Sequence, residues 1–317
     1  MVIDDAIYGR AKITSRCILE LIDSPSLQRL KGIAQFGIPD EFYHIKNFSR
    51  YDHSVGVMLL LNRLGASEEE QIAGLLHDVS HTAFSHTIDW VVGDGKTEDY
   101  QDEHHDEFIA NSELPRILKK NGFDPARITD YHHFGLLERD LPELCADRID
   151  YSLREFPEEI AKQCFENLTE KDNKIVFKNK TSAHLFATNF LKQQRDHWGS
   201  LEGSSRYRLF ADALRLALKD KTITKDDFWQ DDQFVVDKLK TYQNPSLQKI
   251  LTMLRKKSLT HLSTKNGIRV YKKFRHVDPV FIQGTQLLRL SKTDEHFAQE
   301  LEAARTFNKK GNLVPQL

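Results

Sequence analysis

The chain has 317 residues, 39% of them hydrophobic and 29% charged, which is enough apolar material for a sizeable core and excludes disordered, collagen-like and low-complexity classes. Forty-five basic against 47 acidic side chains leave a formal charge of −2, so there is no global basic footprint for nucleic acid, although a polyanion can still bind locally. Three widely spaced cysteines, Cys17, Cys145 and Cys164, argue against a disulfide scaffold and fit a reducing, cytoplasmic setting. No apolar stretch approaches the roughly 18 residues of a membrane span, and the start MVIDDAIYGRAK lacks a basic-then-apolar signal pattern.

In chain order, Ser24 to Gly37 reads as a helix: Ser24 caps it, Pro25 suits its first turn, and Leu27, Leu30, Ile33 and Ala34 recur at helical spacing before Gly37 stops it. A second helix is predicted from about Arg50 to Leu64, with Gly65 after it. A third starts at Ser67, whose SEEE supplies a cap and first-turn acids, and runs through IAGLLHD. FSHTIDWVVG extends or follows it to Gly93. The polar, acidic stretch 94–107 reads as a loop leading into a helix that carries EFIA. LPELCADRIDYSLREF reads as a further helix with Pro142 in its first turn. Lys174–Lys178 and Ile268–Tyr271 look like strands, and RYRLFADALRLALKD (206–220) like a helix. The tail from about Asp294 is charged and helical, then polar and loose. KKFRHVDP (272–279) reads as a strand followed by a turn. The whole is a mostly α chain with minor β-hairpin elements: one helical domain with a C-terminal helical extension packed on it.

Nine of the fourteen histidines fall in the first half. Four side chains stand out: His53, the adjacent pair His77-Asp78, and Asp147. Each lies in a segment read as helix, and three converging helices are able to hold one divalent ion by two imidazoles and two carboxylates. His77, Asp78 and His81 sit in an apolar stretch, where an unpaired buried carboxylate is costly, and Asp147 follows apolar Leu144-Cys145-Ala146. A 2-His-2-carboxylate set leaves positions for water and substrate.

The blocks SPSLQRLKGIAQFG (24–37), SRYDHSVGVMLL (49–60), GLLHDVSHTAFSHTID (74–89) and CADRIDYSLRE (145–155) resemble, in order, those of the HD-domain metal-dependent phosphohydrolases, closest to the deoxynucleoside triphosphate triphosphohydrolase branch. The resemblance implies an all-α HD fold, with residues 1–160 as the metal-binding catalytic core and 161–317 as the extension. It implies a metal set of His53, His77, Asp78 and Asp147 for a divalent ion (iron, manganese, zinc, nickel, cobalt or magnesium). It places Arg50 as a phosphate- or sugar-contacting arginine, Gln35 and Tyr151 beside the substrate sugar, and His81, His86 with Asp89, and His105 as catalytic groups. His105-Asp106 stands where the family has His-Glu, and Phe36 where the branch has leucine after the glutamine. The match thins beyond about residue 160. There 192–210 offers Arg195, His197, Arg206, Tyr207 and Arg208 as candidate triphosphate contacts, with no residue-by-residue correspondence.

The leading reading is therefore a cytoplasmic metal-dependent phosphohydrolase acting on a nucleotide, a dNTP triphosphohydrolase releasing deoxynucleoside and triphosphate. A second reading is a phosphomonoesterase or phosphodiesterase on nucleoside monophosphates, cyclic dinucleotides or nucleic-acid ends. A third is a metal-bound nucleotide sensor or nucleic-acid-binding module, disfavoured by the intact ligand set and the weak charge. Relatives assemble as dimers or larger, so the resemblance implies a homo-oligomer; no membrane partner is expected.

Overall fold

The computed structural model describes residues 1–93, 95, 98–262 and 264–315. The chain opens with an antiparallel hairpin, β1 (Val2–Asp5) and β2 (Gly9–Lys12), followed by α1 (Arg16–Ile22) and α2 (Pro25–Arg29). Ser24 caps α2 with Pro25 in its first turn, as the sequence predicts, but the helix is much shorter than 24–37. After a 3-10 turn at Leu30–Gly32 the backbone extends, Ala34 pairs with Ser49, and Gly37 sits in a left-handed turn at φ +69° instead of ending a helix.

Next come α3 (Arg50–Arg63), α4 (Glu68–Leu76), α5 (Asp89–Val92), α6 (Tyr100–Ala110), α7 (Leu114–Lys120), α8 (Pro125–Thr129), α9 (Ala146–Glu155) and α10 (Glu158–Glu166). Ser49 and Asp52 form a reciprocal capping box on α3, and Ser67 caps α4 ahead of three glutamates that suit the positive end of its dipole. The expected helix from Leu141 begins only at Ala146, with Cys145 at its cap; Pro142 precedes it in a non-helical stretch. Of the loop expected from 94, residues 94, 96 and 97 lie outside the described residues.

The second half carries β3 (Leu168–Lys171), β4 (Lys174–Phe177), α11 (Lys180–Gln193), α12 (Leu201–Lys219), α13 (Asp232–Thr241), α14 (Pro245–Leu254), β5 (Ile268–Val270), β6 (Val280–Gln283), β7 (Gln286–Arg289), α15 (Leu290–Thr293), α16 (Glu295–Asn308) and β8 (Asn312–Val314). One four-stranded sheet runs β3-β4-β6-β7, with β4 and β6 parallel through Phe177 and Phe281. Two sequence expectations need correction here. The stretch after Asn308 is not loose, because β8 pairs antiparallel with β5, Ile268 opposite Val314. Residues 271–279 form no strand; they are an irregular strap between β5 and β6.

Among the described residues two large apolar cores form, beside a small cluster of Trp90, Ala211, Val270 and Val314. One gathers α1, α3, α4, α7, α9 and α11 with Phe281, Leu290 and Phe297; the other gathers α12, α13 and α14 with Phe42, Phe84 and Ile88. Val79 belongs to the first and Phe84 to the second, so the segment 77–89 threads from one to the other. Helix α3 packs against both α4 and α9. Gly56 permits the close approach of α9: a Cβ there would lie 2.1 Å from Asp150 Oδ1 and from an Arg154 nitrogen. Among the described residues no helix is long and apolar enough to cross a membrane. All three cysteines are buried and unpaired.

Candidate metal centre

His53 lies one turn into α3, His77 caps the C-terminal end of α4, Asp78 follows it, and Asp147 lies in the first turn of α9. The crossing of these helices brings His53 Nε2, His77 Nε2 and an Asp147 oxygen within 4.8 Å of one another. The separations are 2.9 Å from His53 to Asp147, 3.2 Å between the two imidazole nitrogens, and 3.5 Å from His77 to Asp147. Asp78 stands beside this trio, 3.6 Å from each imidazole.

The donor set fits a divalent ion. His53 Nδ1 donates to Asp150 Oδ2 at 2.7 Å, and His77 Nδ1 donates to the Gly74 carbonyl at 2.7 Å. With both Nδ1 atoms carrying hydrogen, both Nε2 lone pairs face the same point, 3.2 Å apart, an arrangement that needs positive charge between them. Bonds of about 2.0–2.2 Å to a common ion place neighbouring donors roughly 3–3.5 Å apart, as here. Electrostatics agree. Burial alone lowers the His77 imidazole, but Asp78 and Asp147 outweigh it and raise it to about 9. Burial raises Asp147 and Asp78, yet the imidazoles, and Arg50 beside Asp78, hold both carboxyls below the usual range.

The supports around these ligands were not legible in the sequence. Asp150, one turn after Asp147, also accepts from Tyr8 Oη at 2.8 Å and from Arg154 Nε at 2.8 Å, and Arg154 reaches Asp5 at 2.8 Å. The N-terminal hairpin thus buttresses His53. The three-residue step from Asp147 to Asp150, on a helix face that is buried, is the signal that would have found it.

Other predicted residues take distinct places. Arg50 lines the pocket, but its fork is committed: Nη1 to Asp78 Oδ2 at 2.6 Å, Nε to Ser85 Oγ at 3.0 Å, Nη2 to the Gln35 carbonyl at 3.3 Å. His81 Nε2 is 3.3 Å from Asp78 Oδ1, and burial, then the Arg50 charge, hold its imidazole well below the ordinary range. His86 meets the His81 ring edge-on at 5.1 Å, and its Nδ1 is 3.4 Å from Asp89 Oδ2. Left-handed Phe84 and Ser85 make the bend that delivers His86, held by Phe84 N donating to Asp232 Oδ1 at 2.7 Å. His105 is buried behind Tyr131, with Nδ1 at Ser80 Oγ (2.8 Å) and Nε2 at Tyr131 Oη (2.5 Å); Asp106 is exposed. Tyr131 lines the pocket in its place. Gln35 and Tyr151 both line the pocket, and Gln35 Oε1 is buried with no hydrogen-bond partner.

The pocket has a volume of about 690 Å³ and extends from His77, Asp78 and Asp147 to an aromatic end. There Phe36, Tyr43 and His197 meet, Tyr43 Oη donating to His197 Nε2 (2.8 Å) and His197 Nδ1 to Glu155 (2.6 Å). Of the later candidates, His197 and Tyr207 reach the pocket. Arg206 is fully buried and holds the carbonyls of Phe42, Leu254 and Lys256; Arg195 pairs with Asp196 and Arg208 with Asp212 on their own helical segments.

The family model described as HD domain matches residues 50–155, the segment that carries all four predicted ligands. An uncharacterized protein of Bacillus subtilis, YdhJ, is 35% identical over 98% of this chain and 98% of its own. The metal-dependent phosphohydrolase cns2 of Cordyceps militaris is 37% identical over 49% of this chain and 45% of its own. A deoxynucleoside triphosphate triphosphohydrolase SAMHD1 homolog of Dictyostelium discoideum is 30% identical over 39% of this chain and 26% of its own. The family match lies on the helices that converge here, and the chain belongs to the HD-domain metal-dependent phosphohydrolase superfamily.

Proposed function

We propose that the substrate is a nucleotide, a deoxynucleoside triphosphate cleaved to deoxynucleoside and triphosphate, and that His53, His77, Asp78 and Asp147 hold the ion. The observation that carries this is one continuous pocket with the His/Asp cluster at one end and the Phe36–Tyr43–His197 aromatic wall at the other, roomy enough for a nucleoside and its phosphates. His53, His77, Asp78 and Asp147 would hold a divalent ion, whose chemistry there would be to acidify water and polarise a phosphoryl oxygen.

The chain's own groups do the rest. Arg50 fixes the Asp78 carboxylate through a 2.6 Å charge-assisted bond and keeps it ionised. Asp89 turns His86 so that its Nε2 side is left for the pocket, where it holds a proton for the leaving oxygen. Burial keeps Tyr131 protonated, and its hydroxyl pairs with His105 Nε2 where the tyrosine lines the pocket. Gln35 and Tyr151 offer polar atoms where a sugar would lie.

The test is a nucleotide panel with manganese, iron, cobalt, nickel, zinc and magnesium, after elemental analysis of the purified protein. Release of inorganic triphosphate from a dNTP, with the monophosphate untouched, is expected. A second reading, a monoesterase or diesterase, draws support from Arg195, Arg206 and Arg208 being engaged away from the pocket. Orthophosphate from nucleoside monophosphates, or cleavage of bis-(p-nitrophenyl) phosphate alone, would select it.

A further inference from the structure

The irregular strap 271–279 contributes Lys272, Lys273 and Arg275 to the lining of the same pocket, and Lys272 and Arg275 converge on one carboxylate. Lys272 Nζ donates to Glu98 Oε1 at 2.6 Å and Arg275 Nη2 to Glu98 Oε2 at 2.5 Å. The Glu98 side chain is 1% exposed, and its backbone is in the left-handed region at φ +56°. Two cations meet the Glu98 carboxylate here, with Asp89 also within electrostatic reach of Lys272, so what is left for an anionic ligand is the guanidinium face that Arg275 does not spend on Glu98.

The two cations differ in what they have left to offer. Lys272 is enclosed: its ammonium lies 3.9 Å from the centre of the Tyr207 ring and 5.3 Å from that of Trp90, and its side chain is 6% exposed. Arg275 spends only Nη2 on Glu98. Among the described residues its Nε and Nη1 have no hydrogen-bond partner, its side chain is 21% exposed, and it lines the pocket within electrostatic reach of Tyr151 and Tyr207. Its backbone is fixed as well. Arg275 N donates to Gln194 Oε1 at 3.1 Å, in the π-helical turn Gln194–Trp198, and Asn308 Nδ2 of α16 donates to the Lys272 carbonyl at 3.0 Å. Arg50, by contrast, has all three of its nitrogens engaged within the protein.

We propose that Arg275 is the residue that grips the substrate's phosphate oxygens, an anion subsite built from the strap and anchored on Glu98, with Lys272 adding charge from behind. A planar guanidinium with two free N–H directions forks onto adjacent oxygens of one phosphate, which an ammonium cannot do. The subsite deepens the phosphohydrolase reading and rests on it for the substrate class. It also orients the substrate, with the phosphate chain between the His/Asp cluster and Arg275 and the nucleoside toward Phe36 and Tyr43.

The experiment titrates the as-purified protein with inorganic pyrophosphate by calorimetry, alongside nucleotide kinetics, for wild type, Arg275→Met and Arg275→Lys, with metal content and far-UV circular dichroism checked for each. Arg275→Met is expected to weaken pyrophosphate binding and raise KM about tenfold or more, with metal content unchanged. Arg275→Lys is expected to fold and to recover only part of that loss. Unchanged pyrophosphate affinity and KM in a folded variant with normal metal overturns the proposal; if the Met variant fails to fold, the Lys variant decides by the same measure. Absence of turnover by the wild type with every metal overturns the substrate reading instead, while pyrophosphate binding still reports on Arg275.

Discussion

The two walls of the pocket are held in opposite ways. On the wall of α3, α4 and α9, three of the four proposed ligands are locked by a second polar partner: His53 by Asp150, His77 by the Gly74 carbonyl, Asp78 by Arg50. On the wall of the strap there is no regular structure, and Lys272 and Arg275 are placed by Glu98, Gln194 and Asn308. An ion demands donors placed to a few tenths of an ångström, and helices packed on a common core supply that precision. A phosphate chain tolerates a charged, adjustable surface, which a loop supplies at lower structural cost.

This contrast is open to attack in order of expected effect. His77→Ala or Asp147→Ala should abolish both metal content and turnover while far-UV circular dichroism keeps its helical signal; a variant that retains full metal breaks the assignment of the rigid wall. Asp150→Asn, which touches no substrate, should lower metal affinity by about 10–100-fold through the loosened His53, measured by competition with a chelator. Asn308→Ala acts on the other wall only. It removes two hydrogen bonds, to the Lys272 carbonyl and from Gln194 Nε2, each of roughly 1 kcal/mol net worth, and should raise KM about tenfold while leaving metal affinity unchanged. A metal effect equal to that of Asp150→Asn would erase the distinction between the walls.

An effect of a different kind is expected on acid stability. Burial is the main cause that lowers the His105 imidazole to about 4, so the native state refuses a proton that the unfolded chain accepts near 6.5. The unfolded state therefore binds more protons between those values, and stability falls as pH drops from about 6.5 to about 4, by up to about 1.4 kcal/mol per unit. Replacing His105 by Gln should flatten that limb of the denaturation-midpoint curve; an unchanged slope would show that other groups set it.

The helices carrying the first proposed ligands were legible because their starts carry local signals, Ser49 before Arg50 and Ser67 before three glutamates, whereas α9, with no side-chain cap, begins later than its sequence suggests. Where local signals competed with long-range pairing, the sequence misled. Residues 33–37 have helical spacing but are pulled straight by the Ala34–Ser49 pairing, and 312–314 look polar and loose until β5 supplies a partner. The strap was invisible as a site because Glu98 lies 174 residues from Lys272 and 177 from Arg275, and no periodicity encodes a contact of that span.

The pairing of the strap with Glu98 also orders events during synthesis. All four proposed ion ligands have been synthesised once residue 147 is added, whereas Arg275 follows on the order of ten seconds later at ordinary elongation rates, and Asn308 later still. A nascent chain therefore carries every group proposed to capture a cation before it carries the strap that completes the cavity lining.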